Sequence, residues 1–179
     1  GDKSADTHSW DGQAAYFMDN YSADDATNWT TSNWSQLRSI NYYLDNMRNA
    51  VASDAILDHY EGVGRFFRAL FYIDKVQTFG AVPWYDTSID ATDREALFKD
   101  RDNREFVASK ILEDLDYACT YCLTSDKYRV RASYIHRYVA LALKARFCLY
   151  EGTMRKYHAV DPSTGRAWTK DESLSLIHI

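Results

Sequence analysis

Apolar residues recur along this chain at intervals of three and four, and the two-residue alternation of a half-buried strand is almost absent. Four segments carry the helical spacing. In 34–51, Leu37, Ile40, Tyr43 or Leu44, Met47 and Val51 share a face, with Arg38, Asp45 and Arg48 towards solvent and Ser32 or Asn33 as the cap. A second helix is predicted over 55–79, behind Ser53 or Asp54. Phe66, Leu70 and Ile73 lie on one face of it, and Phe67, Phe71 and Val76 widen that face beyond a narrow stripe. A third follows Asp102 or Asn103 and runs to about Tyr121, with Val107, Ile111, Leu115, Ala118 and Cys122 towards the core. The fourth starts at Ser133 and runs to about Tyr150, with Tyr138, Leu141 or Ala142, Ala145 and Leu149 inward; Gly152 then ends it. The pattern predicts an all-α fold of paired antiparallel helices.

The breaks are as informative as the helices. Gly80 supplies a residue that accepts a left-handed conformation, and Pro83 stops the helix from resuming. The connection 81–102 is too long for a simple helix–helix turn, which marks it for function, and 93–98 adds one helical turn within it. Gly62 and Gly64 sit inside the second helix, where each costs about 1 kcal/mol relative to Ala, so a close helix approach or a bend is expected there.

Composition divides the chain. Residues 1–31 form a polar, acidic loop segment with at most a short helix at 13–18. The first thirty residues set Lys3 against six aspartates, which accounts for the whole net charge of −5. The rest is neutral, so no basic patch suggests a nucleic-acid partner. Residues 32–172 form the helical domain. The tail 173–179 ends in Leu-Ser-Leu-Ile-His-Ile, which looks like a translated library adapter, so native sequence is expected to stop near Glu172 or Ser173.

Candidate chemistry is sparse. Cys119 and Cys122 have metal-ligand spacing but no second pair and no nearby His, and with Cys148 they read as small buried hydrophobes. His59 and His136 read as surface or satisfied helix residues. Glu113, Asp114 and Asp116 are placed mostly on an exposed helix side, and no phosphate-cradling Gly loop or Gly-x-Ser-x-Gly is present. No catalytic residue, cofactor or metal is assigned. Binding is better supported, because sugar rings stack on Trp and Tyr while Asn, Asp and Arg bond their hydroxyls. The candidate ligand residues are Trp29, Asn33 and Trp34 in a stretch read as lying outside the helices, and Trp84 and Tyr85 in the long connection. The bland alternative has Trp34 stapling the start of its helix and Trp84 packing over a helix end.

Arg65, Arg68, Ala69 and Tyr72, followed by Phe79-Gly80-Ala81-Val82-Pro83, resemble the signature of the RagB/SusD-like outer-membrane nutrient-binding lipoproteins. A second match is Ala140-Leu141-Ala142-Leu143-Lys144-Ala145-Arg146, with Leu149-Tyr150 and Gly152 after it. The resemblance covers 34–157. It implies tetratricopeptide-like helix pairs and capture of an oligosaccharide or other nutrient at the cell surface. It also implies delivery to a TonB-dependent, SusC-like transporter in the outer membrane. It makes this chain an N-terminal portion of a longer lipoprotein, whose signal peptide and lipidated Cys lie upstream and provide its membrane contact. The rival reading is a helical-repeat adaptor for a soluble protein. A third, a glycoside hydrolase, finds little support in the residues.

Overall fold

The computed structural model describes residues 29–90, 92–124, 134–158, 160–162 and 165–168. They form α1 (Thr31–Asn46), a 3-10 turn (Met47–Asn49), α2 (Asp54–Phe79), α3 (Arg94–Leu97), α4 (Arg104–Tyr121) and α5 (Arg137–Tyr157). Among them the only β pairing is two isolated antiparallel bridges, Val82 with Asp102 and Val160 with Ala167. The chain divides into two compact units, Gly1–Gln36 and Leu37–Ile179. The expected short helix at 13–18, the start of the fourth helix at Ser133 and the tail 173–179 lie outside the described residues.

In the larger unit successive helices run antiparallel. Asn41 lies by Arg68 and Arg48 by Asp58 where α1 meets α2. Arg68 lies by Asp114 and Arg104 by the Val76 carbonyl where α2 meets α4. Arg104 lies by Glu151 and Asp116 by Lys144 where α4 meets α5. α4 sits between α2 and α5 and is buried on more than one side: Val107, Ala108, Ile111, Leu115, Ala118 and Cys122 are all fully enclosed. Each large aliphatic side chain so buried contributes about 1.5–3 kcal/mol. At Gly62 α2 approaches the end of α4 closely, since a Cβ there would lie 2.9 Å from Cys122 Sγ and 3.4 Å from Ala118 Cα.

The helix ends follow from local chemistry. Asn103 caps α4 by accepting from the Phe106 N–H at 2.7 Å. Gly80, at φ 72°, closes α2 by donating to the Val76 carbonyl, a conformation that suits a residue without Cβ. Thr30 caps α1, its Oγ1 accepting from the Asn33 N–H at 3.4 Å.

Several expectations need correction. α1 begins at Thr31 rather than Trp34, so Asn33 and Trp34 belong to its first turn. In α2, Phe67 and Leu70 are exposed, whereas Phe66, Phe71, Ile73 and Val76 are buried. Gly152 does not end α5; the helix continues to Tyr157, because its last turns place Glu151 on Arg104 at 2.6 Å and Arg155 on Glu105 at 3.2 Å. Those bonds offset the cost of one helical Gly. The inward face of α5 is Ala140, Phe147, Cys148 and Glu151, while Tyr138, Leu141 and Leu149 are exposed. The helix carries two apolar stripes, and spacing alone does not say which one α4 covers.

Candidate functional site

The long connection is held by polar side chains on the helices, bonded to its main chain. On α2, the Tyr72 hydroxyl donates to the Pro83 carbonyl at 3.2 Å and accepts from the Tyr85 N–H at 2.7 Å. On α1, the Asn41 amide donates to the carbonyls of Tyr85 and Thr87 at 2.9 and 3.0 Å. Arg68 donates to the Asp86 carbonyl at 2.7 Å. Asp45 accepts from both the N–H and the hydroxyl of Ser88. Farther along, Asp102 accepts from the Trp84 N–H and from Lys99, which also reaches the Trp84 carbonyl. Asn41, Arg68 and Tyr72 are buried, so each satisfies its own hydrogen bonding by fixing 83–88.

Arg68 is itself held by Asp114, which is buried and not exposed as its helical position suggests; its Nε and Nη2 meet the two carboxylate oxygens at 2.6 and 2.7 Å. The bidentate geometry suits a desolvated pair. Towards the surface the network passes to Arg65, Glu61, Arg48 and Asp58. Burial favours the neutral form of Glu61, but Arg65 and Arg48 outweigh it and hold the carboxyl below its ordinary range. The Tyr117 phenol, donating towards Asp58 and accepting from Arg48, is pushed up to about 12 by burial and by Glu61 and Asp58.

Trp84 and Tyr85 stand side by side in this held loop. Trp84 is only 6% exposed, stacked on Tyr72 at 4.2 Å between centroids and 30° between planes. Tyr85 is half-buried and donates its hydroxyl to the Ala96 carbonyl at 2.9 Å. The other candidates come together in the smaller unit. Trp29 precedes the Thr30 cap and Trp34 is the fourth residue of α1, and their rings meet edge to face at 5.0 Å. That is the spacing of a hydrophobic staple. Asn33 accepts a short bond from the Thr30 hydroxyl. All three keep partial exposure.

Sequence reasoning passed over Asn41 and the depth of Arg68 and Asp114. The available signal was Asn41 standing four residues after Leu37 and three before Leu44, a polar residue inside an apolar face. The thiols of Cys119, Cys122 and Cys148 are free, and burial raises all three, Cys122 to about 11. Among the described residues no group of three or more His, Cys, Asp or Glu is placed to hold a metal ion, and no helix is long and apolar enough to cross a membrane.

No family model matches the chain, and no curated protein matches it in sequence. Solved structures do. A SusD-like protein from Bacteroides fragilis shares 23% identity over 68% of this chain and 23% of its own, with a TM-score of 0.58. A laminarin-binding SusD-like protein matches at 18% identity over 70% of this chain and 27% of its own, with a TM-score of 0.60. A SusD-like carbohydrate-binding protein from Bacteroides vulgatus matches at 21% identity, 69% and 27% coverage, and a TM-score of 0.55. The chain spans about a quarter of the length of these proteins. Its fold is the tetratricopeptide-like antiparallel helix arrangement of SusD-like proteins.

Proposed function

We propose that the protein captures oligosaccharides at the cell surface without catalysis and delivers them to a TonB-dependent, SusC-like transporter of the outer membrane. The observation that carries this reading is the likeness of its helical scaffold to SusD-like proteins, among them one described as laminarin-binding and one as carbohydrate-binding. Trp29 and Trp34 add a chemical argument. Their edge-to-face contact leaves both rings partly exposed beside Asn33, an aromatic surface with hydrogen-bonding groups at its edge. Trp84 and Tyr85 belong to the same reading through their loop, where the buried Trp84 serves as a wall rather than an open platform.

Delivery needs a protein partner, and α5 offers apolar surface for one. Tyr138, Leu141, Leu149 and Tyr157 are 55%, 44%, 54% and 74% exposed. The same stripe is what favours the adaptor reading. The two are separated by titrating the protein with neutral oligosaccharides, laminarihexaose and maltohexaose among them, by calorimetry. Saturable binding of at least one supports glycan capture. A flat response to a broad neutral panel, with retained binding of a soluble protein partner, would favour the adaptor.

A further inference from the structure

Two apolar hollows lie along α5. The smaller, of about 190 Å³, opens between α5 and α2 over Leu70, Ile73, Leu143 and Phe147. Ile73 and Phe147 are buried beneath it, and Leu70 stands exposed at its edge. The larger, of about 450 Å³, lies farther along the helix over Leu149, Tyr150, Met154 and Tyr157. Their centres are about 10 Å, two helical turns, apart along α5. Arg146 lines both hollows and so stands between them.

The charges beside the hollows are unequal. α5 carries five cations and a single carboxylate, Glu151, which is buried on Arg104. Arg137 donates to the Thr120 carbonyl, Lys144 pairs with Asp116, and Arg155 pairs with Glu105. Arg146 and Lys156 meet no carboxylate among the described residues. Asp74 is the only carboxylate that lines either hollow, and it lies 3.5 Å from the Lys75 ammonium.

These features select among occupants. α2 and α5 both run antiparallel to α4, so they run the same way, and a groove between two such helices has the shape that a third helix fills. Two separate hollows accept two apolar side chains, which a flat lipid surface does not present. A second copy of α5 would set Arg146 and Lys156 against cations of their own kind. An acidic helix meets them with the opposite charge.

We propose that the α2–α5 groove docks an acidic amphipathic helix of a separate protein. Large apolar side chains at i and i+7 of that helix seat in the two hollows, and an Asp or Glu at i+3 or i+4 meets Arg146. Those positions share one face of a helix, two turns from end to end. The apolar anchors supply most of the affinity, and the exposed ion pair supplies register and choice of partner. The groove is built without any of the candidate glycan residues, so this interaction stands or falls separately from glycan capture.

The test uses fluorescein-labelled synthetic helices of about 18 residues, long enough to hold a helix. Their two anchor positions, i and i+7, are varied over Leu, Met, Phe and Trp. Glu, Gln or Lys stands at i+3. Fluorescence anisotropy with the intact protein ranks them. Expected is saturable binding in the order Glu, Gln, Lys. Leu149→Ala should weaken the best Glu peptide about fivefold or more. Arg146→Glu should weaken it about tenfold and make the Lys peptide the tightest, a reversal that lost packing alone would not produce. Both residues are exposed, so circular dichroism should stay helical. Binding in which the central charge makes no difference, or Arg146→Glu leaving the order unchanged, overturns the acidic partner. If no peptide binds and sedimentation shows a dimer that Leu149→Ala dissociates, a second copy covers the groove and the proposal is equally overturned. Absence of both peptide binding and self-association overturns it as well.

Discussion

The Arg68 guanidinium grips both oxygens of the Asp114 carboxylate, and its remaining Nη donates to the main-chain carbonyl of Asp86. One side chain thus joins α2 to α4 and to the long connection. With 8% and 2% of their side chains exposed, neither ion can turn to solvent if the other is removed. Arg68→Met should therefore cost about 3–5 kcal/mol, the price of an unpaired buried charge. Arg68→Met combined with Asp114→Leu should recover a large part of it. Urea denaturation checks both; a single variant that loses less than about 1 kcal/mol would show that water reaches the pair.

Gly62 and Gly64 both tolerate little, for different reasons. A Cβ at Gly62 meets the enclosed Cys122 and the α4 backbone, whereas one at Gly64 meets a Leu44 methyl and the ring edge of Tyr43, side chains that are not fully buried. Gly62→Ala should destabilise by about 1–3 kcal/mol through overpacking, more than the gain in helix propensity offsets. Gly64→Ala should be milder, because its neighbours can turn aside. Thermal unfolding of the two variants gives the order, and a less stable Gly64→Ala would reverse the account.

His59 is 2% exposed, and its Nδ1 accepts from the Leu123 N–H at 3.1 Å. Burial lowers its pKa below the ordinary 6.5, so the unfolded chain binds the proton more readily. Its contribution to stability is complete above about pH 6.5 and is lost as pH falls through the folded value. Denaturation between pH 7.5 and 5.5 should show stability declining over the acidic half of that range, and His59→Gln should flatten the decline. An unchanged slope in the variant would assign the decline to other groups.

Much of this arrangement is legible in the sequence, and the failures share a cause. α4 is readable because its enclosed positions, Val107 to Cys122, repeat at helical spacing. The loop is readable because Gly80 and Pro83 act locally. α5 is misread because both its stripes are apolar, and only α4 decides between them. Asp114 is misread because a charge at the helix surface looks solvated until Arg68 arrives from 46 residues away. The start of α1 is misread because Thr30 caps it about two turns before the apolar face begins at Leu37, with Trp29 and Trp34 closing the staple. That staple gives its residues a packing role and still leaves their rings partly exposed, so the local pattern does not separate packing from binding.

Glycan capture is tested most directly by calorimetric titration of the intact protein with the oligosaccharide that binds it best, comparing wild type, Trp29→Ala and the surface variant Glu95→Ala. Loss of one stacking face is worth about 1–2 kcal/mol, so Trp29→Ala should bind roughly five- to thirtyfold more weakly while circular dichroism stays helical. Glu95→Ala should match wild type. If Trp29→Ala remains folded and binds as tightly as Glu95→Ala, Trp29 only staples α1 and the platform account is contradicted.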